Sequence, residues 1–161
     1  MPSIKNDAGG RALLPRAIAA FLLLPGVFAF VVPLLLARFT LHANGFARAG
    51  LLELALGLVI LLACVRQFYT DGRGTLAPWS PPITLVRSGL YRWSRNPMYI
   101  GVLLIAIGWA LGFQSATLWI YVGVLAIAFH LRVVLAEEPL LARTHGDEWL
   151  AYRRRVPRWL L

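Results

Sequence analysis

The stretch LVRSGLYRWSRNPMYIGVLL, residues 85–104, joins a polar segment of this chain to an uncharged apolar run. Its three arginines and two tyrosines crowd around the step from Asn96 to Pro97. This step favours a helix start, because asparagine caps free backbone amides and proline needs no amide hydrogen in the first position. We therefore predict a helix that begins at Pro97, with a polar and aromatic cluster beside its first turn.

The composition around this stretch indicates a membrane protein. Of 161 residues, 59% are apolar and 14% are charged, and the mean hydropathy is +0.69. A soluble domain usually has about 25% charged residues, so this chain lacks the polar surface that water requires. Four apolar segments are long enough, or nearly so, to cross a hydrocarbon core of about 30 Å. They are residues 13–37, which three prolines are predicted to kink or split, and residues 51–68, 97–113 and 116–135.

The predicted fold is an all-α membrane protein with about four transmembrane helices in a single domain, residues 1–161. Only Gln114 and Ser115 separate the last two segments, which predicts a tight antiparallel hairpin. Residues 1–70 carry the first two spans, and residues 71–161 carry a loop, the hairpin and a cytoplasmic C-terminal amphipathic helix. Gly108 and Gly112 form a Gly-x-x-x-Gly pair, which predicts close helix packing within the hairpin rather than a dimer contact.

The basic residues predict the orientation. Fourteen of the sixteen lysines and arginines fall on one side of this four-span arrangement and two on the other. The positive-inside rule places the richer side, with both termini, in the cytoplasm. The net charge of +9 then indicates contact with anionic lipid headgroups and not with nucleic acid. The single cysteine, Cys64, lies inside the second span, so we predict no disulfide framework and no metal site.

Two adjacent glutamates follow the fourth apolar segment. The hairpin brings Glu137 and Glu138 beside the start of the third segment, at the cytoplasmic interface. Carboxylates at a helix C-terminus oppose the helix dipole unless a cation compensates. Pro139 is expected to end or kink the helix at Glu138, although the glutamates would be favourable if they instead opened the tail helix. Two interpretations stay open: salt bridges to Arg92, Arg95 or Arg132, or a site that binds a cation through carboxylates and an anion through arginines.

Three motifs in order then point to a family. GLYRWSRNPMYIG (residues 89–101), EEPLL (137–141) and HGDEWLAYRRRVPRWL (145–160) resemble the integral-membrane methyltransferases of the isoprenylcysteine carboxyl methyltransferase and phospholipid methyltransferase type. The resemblance covers about residues 71–160. Asn96 stands where the family pattern has histidine, and Trp149 stands in place of a tyrosine. Asparagine cannot act as a general base, so a mechanism that needs a histidine to take a proton does not transfer.

The resemblance implies a methyltransferase that uses S-adenosylmethionine, in EC class 2.1.1, with residues 71–161 as the cofactor-binding core. Its acceptor would be lipophilic and enter from the bilayer: an isoprenylcysteine-type carboxylate, or alternatively a phospholipid amine or a small thiol. A non-enzymatic four-span membrane protein is the alternative of another class. The implied catalytic residues are Arg95, Tyr99 and Glu138. The implied cofactor-binding residues are Tyr91, Arg95, Asn96, Pro97, Tyr99, Gly101, Glu137, Glu138 and Trp149.

The acceptor side is predicted from three further positions. His130 lies inside the fourth span, about two helical turns before Glu137, where it either lines the acceptor cavity or packs as a hydrogen-bonded histidine. Arg92 and Arg158 are the other predicted substrate-binding residues. The prediction leaves the oligomeric state open.

Overall fold

The computed structural model describes residues 22–38, 46–71 and 84–160, and these residues form helices joined by short turns. The prediction of an all-α fold is confirmed. Residues 13–21 of the first predicted span lie outside the described residues. The helices are a π-helix at Leu22–Val31 that continues as α1 (Val32–Ala37), then α2 (Ala49–Thr70), α3 (Pro97–Phe113), α4 (Ala116–Arg132) and α5 (Glu138–Arg155). A 3-10 turn at Gly89–Arg92 precedes α3, and a π-turn at Val133–Glu137 links α4 to α5.

Helix α3 begins where the sequence predicts. Pro97 occupies its first turn and Asn96 the preceding N-cap position. The prediction that the Asn96 side chain caps the helix is wrong, because its amide nitrogen donates instead to the backbone oxygen of Arg158, 2.9 Å away. At the other end, Gln114 adopts a left-handed backbone with φ 50°, which ends α3. The Ser115 side chain then caps α4 by accepting from the amide of Leu118.

Helices α2 and α3 pack through glycines. A Cβ at Gly57 would lie 2.6 Å from the backbone oxygen of Gly101, and a Cβ at Gly108 would lie 2.7 Å from the backbone nitrogen of Leu54. The two backbones are therefore too close for any side chain at these positions. The prediction that Gly108 and Gly112 pack within the α3–α4 hairpin is wrong: both glycines face the α2 side of the fold.

The contact between α3 and α4 uses larger side chains. Leu125 and Phe129 of α4 share a buried apolar cluster with Val102 and Ile105 of α3. A Cβ at Gly123 of α4 would meet no atom within 4 Å among the described residues, so this glycine takes no part in close packing.

Much of the apolar surface of these helices faces outward. Among the described residues, two helices are long and apolar enough to cross a membrane: Ala49–Phe68, and the helix that continues through Ala116–Arg155. Pro25–Ala37 and Pro97–Phe113 are shorter apolar helices. Leu52 is 71% exposed and Ile120 is 68% exposed, and other large apolar side chains of α2 and α4 are also uncovered. A surface this apolar fits a hydrocarbon environment better than water.

The helical chain passes Pro139 without a break. The expectation that the helix ends at Glu138 is wrong, because Glu137 and Glu138 both keep helical backbone angles between the π-turn and α5. The two glutamates stand at the N-terminal end of α5, as the alternative predicted. Glu138 is the first residue of α5, where the missing amide hydrogen of Pro139 is not needed. The break in helical backbone comes later, at Gly146, whose φ of 49° favours glycine. Beyond it, α5 buries Trp149 and Tyr152 and exposes three successive arginines.

Candidate functional site

Glu138 is the centre of a buried ion-pair network. Its carboxylate accepts from Nε and Nη2 of Arg158, at 2.7 and 2.9 Å, and from Nη1 of Arg95 at 2.8 Å. The side chains of Arg95 and Glu138 are only 8% and 9% exposed. The predicted salt bridge between Glu138 and Arg95 therefore forms. Arg158, near the C-terminal end, adds a second cation to Glu138.

The two arginines keep Glu138 ionised. Burial alone would raise the pKa of this carboxyl, but the hydrogen bond from Arg158 and the charges of Arg95 and Arg158 outweigh burial. The pKa of Glu138 therefore lies below its ordinary value of 4.5. Conversely, the hydrogen bond to Glu138 raises the pKa of Arg158. At neutral pH the network is one anion held between two cations, and it carries net positive charge.

Glu137 belongs to a second, more open group. Its Oε1 accepts from the Tyr99 hydroxyl and, at 2.8 Å, from Nε of Arg132. The same Nε lies 3.1 Å from the Tyr99 hydroxyl oxygen. Within the described part of the chain, Oε2 of Glu137 has no hydrogen bond. This oxygen can therefore accept from a ligand, whereas both oxygens of Glu138 are already occupied.

The π-turn creates the pair between Arg132 and Glu137. Residues five apart point about 140° away from each other on a regular α-helix. In a π-helix the backbone hydrogen bond itself joins residues five apart, so the two side chains share a face. From the sequence, Arg132 is predicted only as a possible salt-bridge partner of the glutamates and not as a site residue. An α-helical register hides this pairing, and we find no signal in the sequence that reveals the π-turn.

The segment after α5 closes one side of the site. Residues 156–160, which we call the C-terminal strap, pass the start of α3. The amide of Arg95 donates to the backbone oxygen of Pro157 at 2.9 Å. The backbone oxygen of Arg158 accepts from the Asn96 side chain at 2.9 Å and from the Ser94 hydroxyl at 3.2 Å. The strap is thus tied to the residues that lead into α3.

Two buried donors in this cluster lack an acceptor among the described residues. Nε of Arg95 and Nε1 of Trp149 are buried, and neither has a hydrogen-bond partner in the described residues. The Arg95 guanidinium lies over the Trp149 ring, 5.4 Å from its centre. The Asn96 side chain leaves the adjacent first turn of α3 uncapped. Unpaired buried donors are costly and need explanation. Together with the open oxygen of Glu137, they fit a ligand that carries both a carboxylate and an amino group.

The predicted site residues fall into two sets. Most of them meet at this one end of the helices: Arg95, Asn96, Pro97, Tyr99, Glu137, Glu138, Trp149 and Arg158. Trp149 is buried beneath Arg95, so its ring is not open to a ligand face in this arrangement.

Four predicted residues lie apart from this cluster. The Tyr91 ring belongs to a separate apolar cluster with Cys64 and Val86. Gly101 lies against α2 in the glycine-packed interface. Arg92 is exposed and borders an open surface depression beside Asp71. His130 is exposed and contacts the strap, where Nε1 of Trp159 donates to its Nδ1 at 3.4 Å.

Comparison with known proteins gives the family. The sequence model of the phospholipid methyltransferase family matches residues 46–148. Protein-S-isoprenylcysteine O-methyltransferase from Rattus norvegicus is 32% identical over 115 residues, which cover 68% of this chain and 39% of that protein. The protein of the same name from Mus musculus is 32% identical over 74 residues, covering 46% of this chain and 26% of that one. The chain thus spans less than half the length of these two relatives.

An uncharacterized protein from Haemophilus influenzae is 32% identical over 63 residues, which cover 39% of this chain and all of that protein. No solved structure matches the chain at a significant level. The family match extends from the last residues before α2 to the middle of α5, and so includes both glutamates and the start of α3. Because it covers more than half of the sequence, the chain belongs to the phospholipid methyltransferase family.

Proposed function

We propose that this protein is a membrane-spanning methyltransferase that uses S-adenosylmethionine and methylates a lipophilic acceptor at the cytoplasmic face of the bilayer. The observation that carries the proposal is the cluster at the start of α3. There, buried donors of Arg95 and Trp149 lack acceptors among the described residues. Arg95 pairs with Glu138, and the preceding residue, Glu137, has one carboxylate oxygen without a donor among the same residues. Membership of the phospholipid methyltransferase family supports methyl transfer as the reaction that we propose for this cluster.

The chain's own groups match the charged parts of the proposed donor. Nε of Arg95 and the uncapped first turn of α3 would hold its carboxylate, since guanidinium groups and helix N-termini both favour anions. Oε2 of Glu137 would hold its amino group. Glu138 keeps Arg95 in place, and the hydroxyl of Tyr99 keeps Glu137 in place.

When bound, S-adenosylmethionine supplies a methyl group that its sulfonium has already activated. The protein then needs mainly to orient the acceptor and to exclude water, and good orientation contributes up to about 7–11 kcal/mol in favourable cases. Arg95, Tyr99 and Glu138 are the residues to which we assign this positioning. The buried ion pairs around Glu138 suit the task because they hold two elements, α3 and the strap, at fixed separation.

An isoprenylcysteine-type carboxylate is the acceptor we favour. The Rattus norvegicus relative carries the name of an isoprenylcysteine O-methyltransferase. In this chain Asn96 donates to a backbone oxygen and cannot take a proton. A carboxylate acceptor is already anionic and has no proton to lose. A phospholipid amine or a small thiol is the second candidate. It would require another base, and Glu137 could serve because one of its carboxylate oxygens has no hydrogen bond among the described residues.

Donor binding is the direct test. Wild-type protein purified in detergent should bind S-adenosylmethionine in isothermal calorimetry. Glu137→Gln should weaken that binding roughly tenfold, or about 1.4 kcal/mol, because it removes the negative charge but leaves the Glu138 network intact. Glu148→Gln is the matched control, since Glu148 makes only an exposed pair with Arg87 among the described residues. If the wild-type protein does not bind S-adenosylmethionine, the proposal is wrong and the alternative of a non-enzymatic membrane protein is favoured.

The membrane arrangement has its own test. We propose four spans, with α3 and α4 as a hairpin and both termini in the cytoplasm, from the apolar outer surfaces and the distribution of arginines. Reporter fusions after Leu161 and between residues 39 and 45 should then report opposite sides of the membrane. If both reporters fall on the same side, the four-span arrangement is wrong.

A further inference from the structure

Asn96 holds the position where the family pattern has histidine, and its contacts show what it does here. Its side-chain nitrogen donates to the backbone oxygen of Arg158 at 2.9 Å. The neighbouring Ser94 hydroxyl donates to the same oxygen, and the amide of Arg95 donates to that of Pro157. Three consecutive residues before α3 therefore donate to two consecutive carbonyls of the strap.

The same two segments are joined again through their side chains. Arg158 makes two hydrogen bonds to Glu138, and Arg95 makes a third. The backbone oxygen of Arg158 that Asn96 holds belongs to the residue whose guanidinium reaches Glu138. Displacing this carbonyl would therefore also move the guanidinium, and Glu138 would retain only Arg95 among its described partners.

We propose that Asn96 is a positioning residue: it fastens the C-terminal strap across the site and thereby holds the Arg158 guanidinium on Glu138. This inference rests on the proposed function only in taking the adjacent cluster as the donor site. An amide suits the role because it donates at any pH and carries no charge. A carboxylate at the same place would bring its oxygen close to the backbone oxygen of Arg158, and two acceptors repel each other. A neutral imidazole still has one N–H to donate.

Hydrogen exchange of the Arg95 amide tests, without any ligand, whether Asn96 fastens the C-terminal strap. This amide is hydrogen-bonded to Pro157 only while the strap is seated. In full-length protein in detergent, Asn96→Asp should speed its exchange roughly tenfold or more, because a donor–acceptor pair becomes a repulsive pair. Asn96→His should exchange near the wild-type rate, and Asn96→Ala, which keeps the Ser94 donor, should lie between. Arg154→Ala, on the exposed side of α5, is the control that should change nothing.

A double-mutant comparison tests the link to Glu138. Arg158→Ala should speed exchange at Arg95 and weaken S-adenosylmethionine binding, and adding Asn96→Asp should change both little further, since the two variants free the same strap. Fully additive effects would overturn the proposal, as would a wild-type exchange rate in Asn96→Asp. If the wild type binds no donor, the proposed function fails, but the exchange rates still decide whether Asn96 fastens the strap.

Discussion

Replacing Glu138 with alanine is expected to lower the free energy of unfolding by about 3–5 kcal/mol at neutral pH, the usual cost of breaking a buried pair. The variant leaves Arg95, whose side chain is 8% exposed, without its described counter-charge, and it frees Arg158 from two hydrogen bonds. Thermal or detergent unfolding followed by circular dichroism measures the loss. The matched control is Glu148→Ala, because Glu148 and Arg87 are 45% and 50% exposed and such pairs contribute at most about 1 kcal/mol.

The difference in the free energy of unfolding between wild type and Glu138→Ala should depend on pH in a defined direction. The folded-state pKa of Glu138 lies below its ordinary value of 4.5, so its ionised form stabilises the fold above that pH. This contribution should be lost as the pH falls below about 4.5 and through the folded-state pKa. The gap between wild type and Glu138→Ala should therefore narrow in acid. A gap that stays constant from neutral to acidic pH would show that the ionised carboxylate contributes nothing beyond packing.

Gly57→Ala is expected to lower the free energy of unfolding by about 1–3 kcal/mol, the usual range for overpacking. The new Cβ would lie 2.6 Å from the backbone oxygen of Gly101 and 2.8 Å from the backbone nitrogen of Ile105. Both are main-chain atoms of α3, so neither can rotate away, and the two helices must separate along their length. The same unfolding assay in detergent measures the change.

Gly123→Ala is the matched control for this substitution. Gly123 is also a helical glycine in an apolar segment, but among the described residues no atom lies within 4 Å of a Cβ there. Alanine should stabilise this position by up to about 1 kcal/mol through helix propensity alone. If Gly57→Ala raises the free energy of unfolding by the same amount as Gly123→Ala, the close approach of α2 and α3 is not needed for stability.

The members of the candidate site were largely predictable from local sequence. Two sequence motifs, recognisable by their order and spacing, contain four of these residues: Arg95, Tyr99, Glu137 and Glu138. The two-residue connection at Gln114 and Ser115 predicts that the two motifs lie close together in the fold. The different hydrogen-bonding roles of these residues were not predictable. Glu138 is occupied by two arginines and Glu137 retains an open oxygen, although the two residues are chemically identical neighbours. That difference depends on which partner each side chain meets from other elements.

The helical class, the start of α3 at Pro97 and the outward apolar surfaces follow from the amino-acid sequence, because composition, proline placement and hydrophobic length are local properties. The remaining features depend on contacts that form only when the helices pack. The glycines of α3 face α2 because two backbones meet there, and the π-turn pairs Arg132 with Glu137 by shifting the register of one helix. The strap reaches Asn96 across 62 residues of chain. The glycine packing and the strap contact depend on groups that are distant in sequence, and a local pattern does not show which distant group will be in contact. The pair of Arg132 and Glu137 is only five residues apart, but it depends on a change of helical register that the local pattern does not indicate.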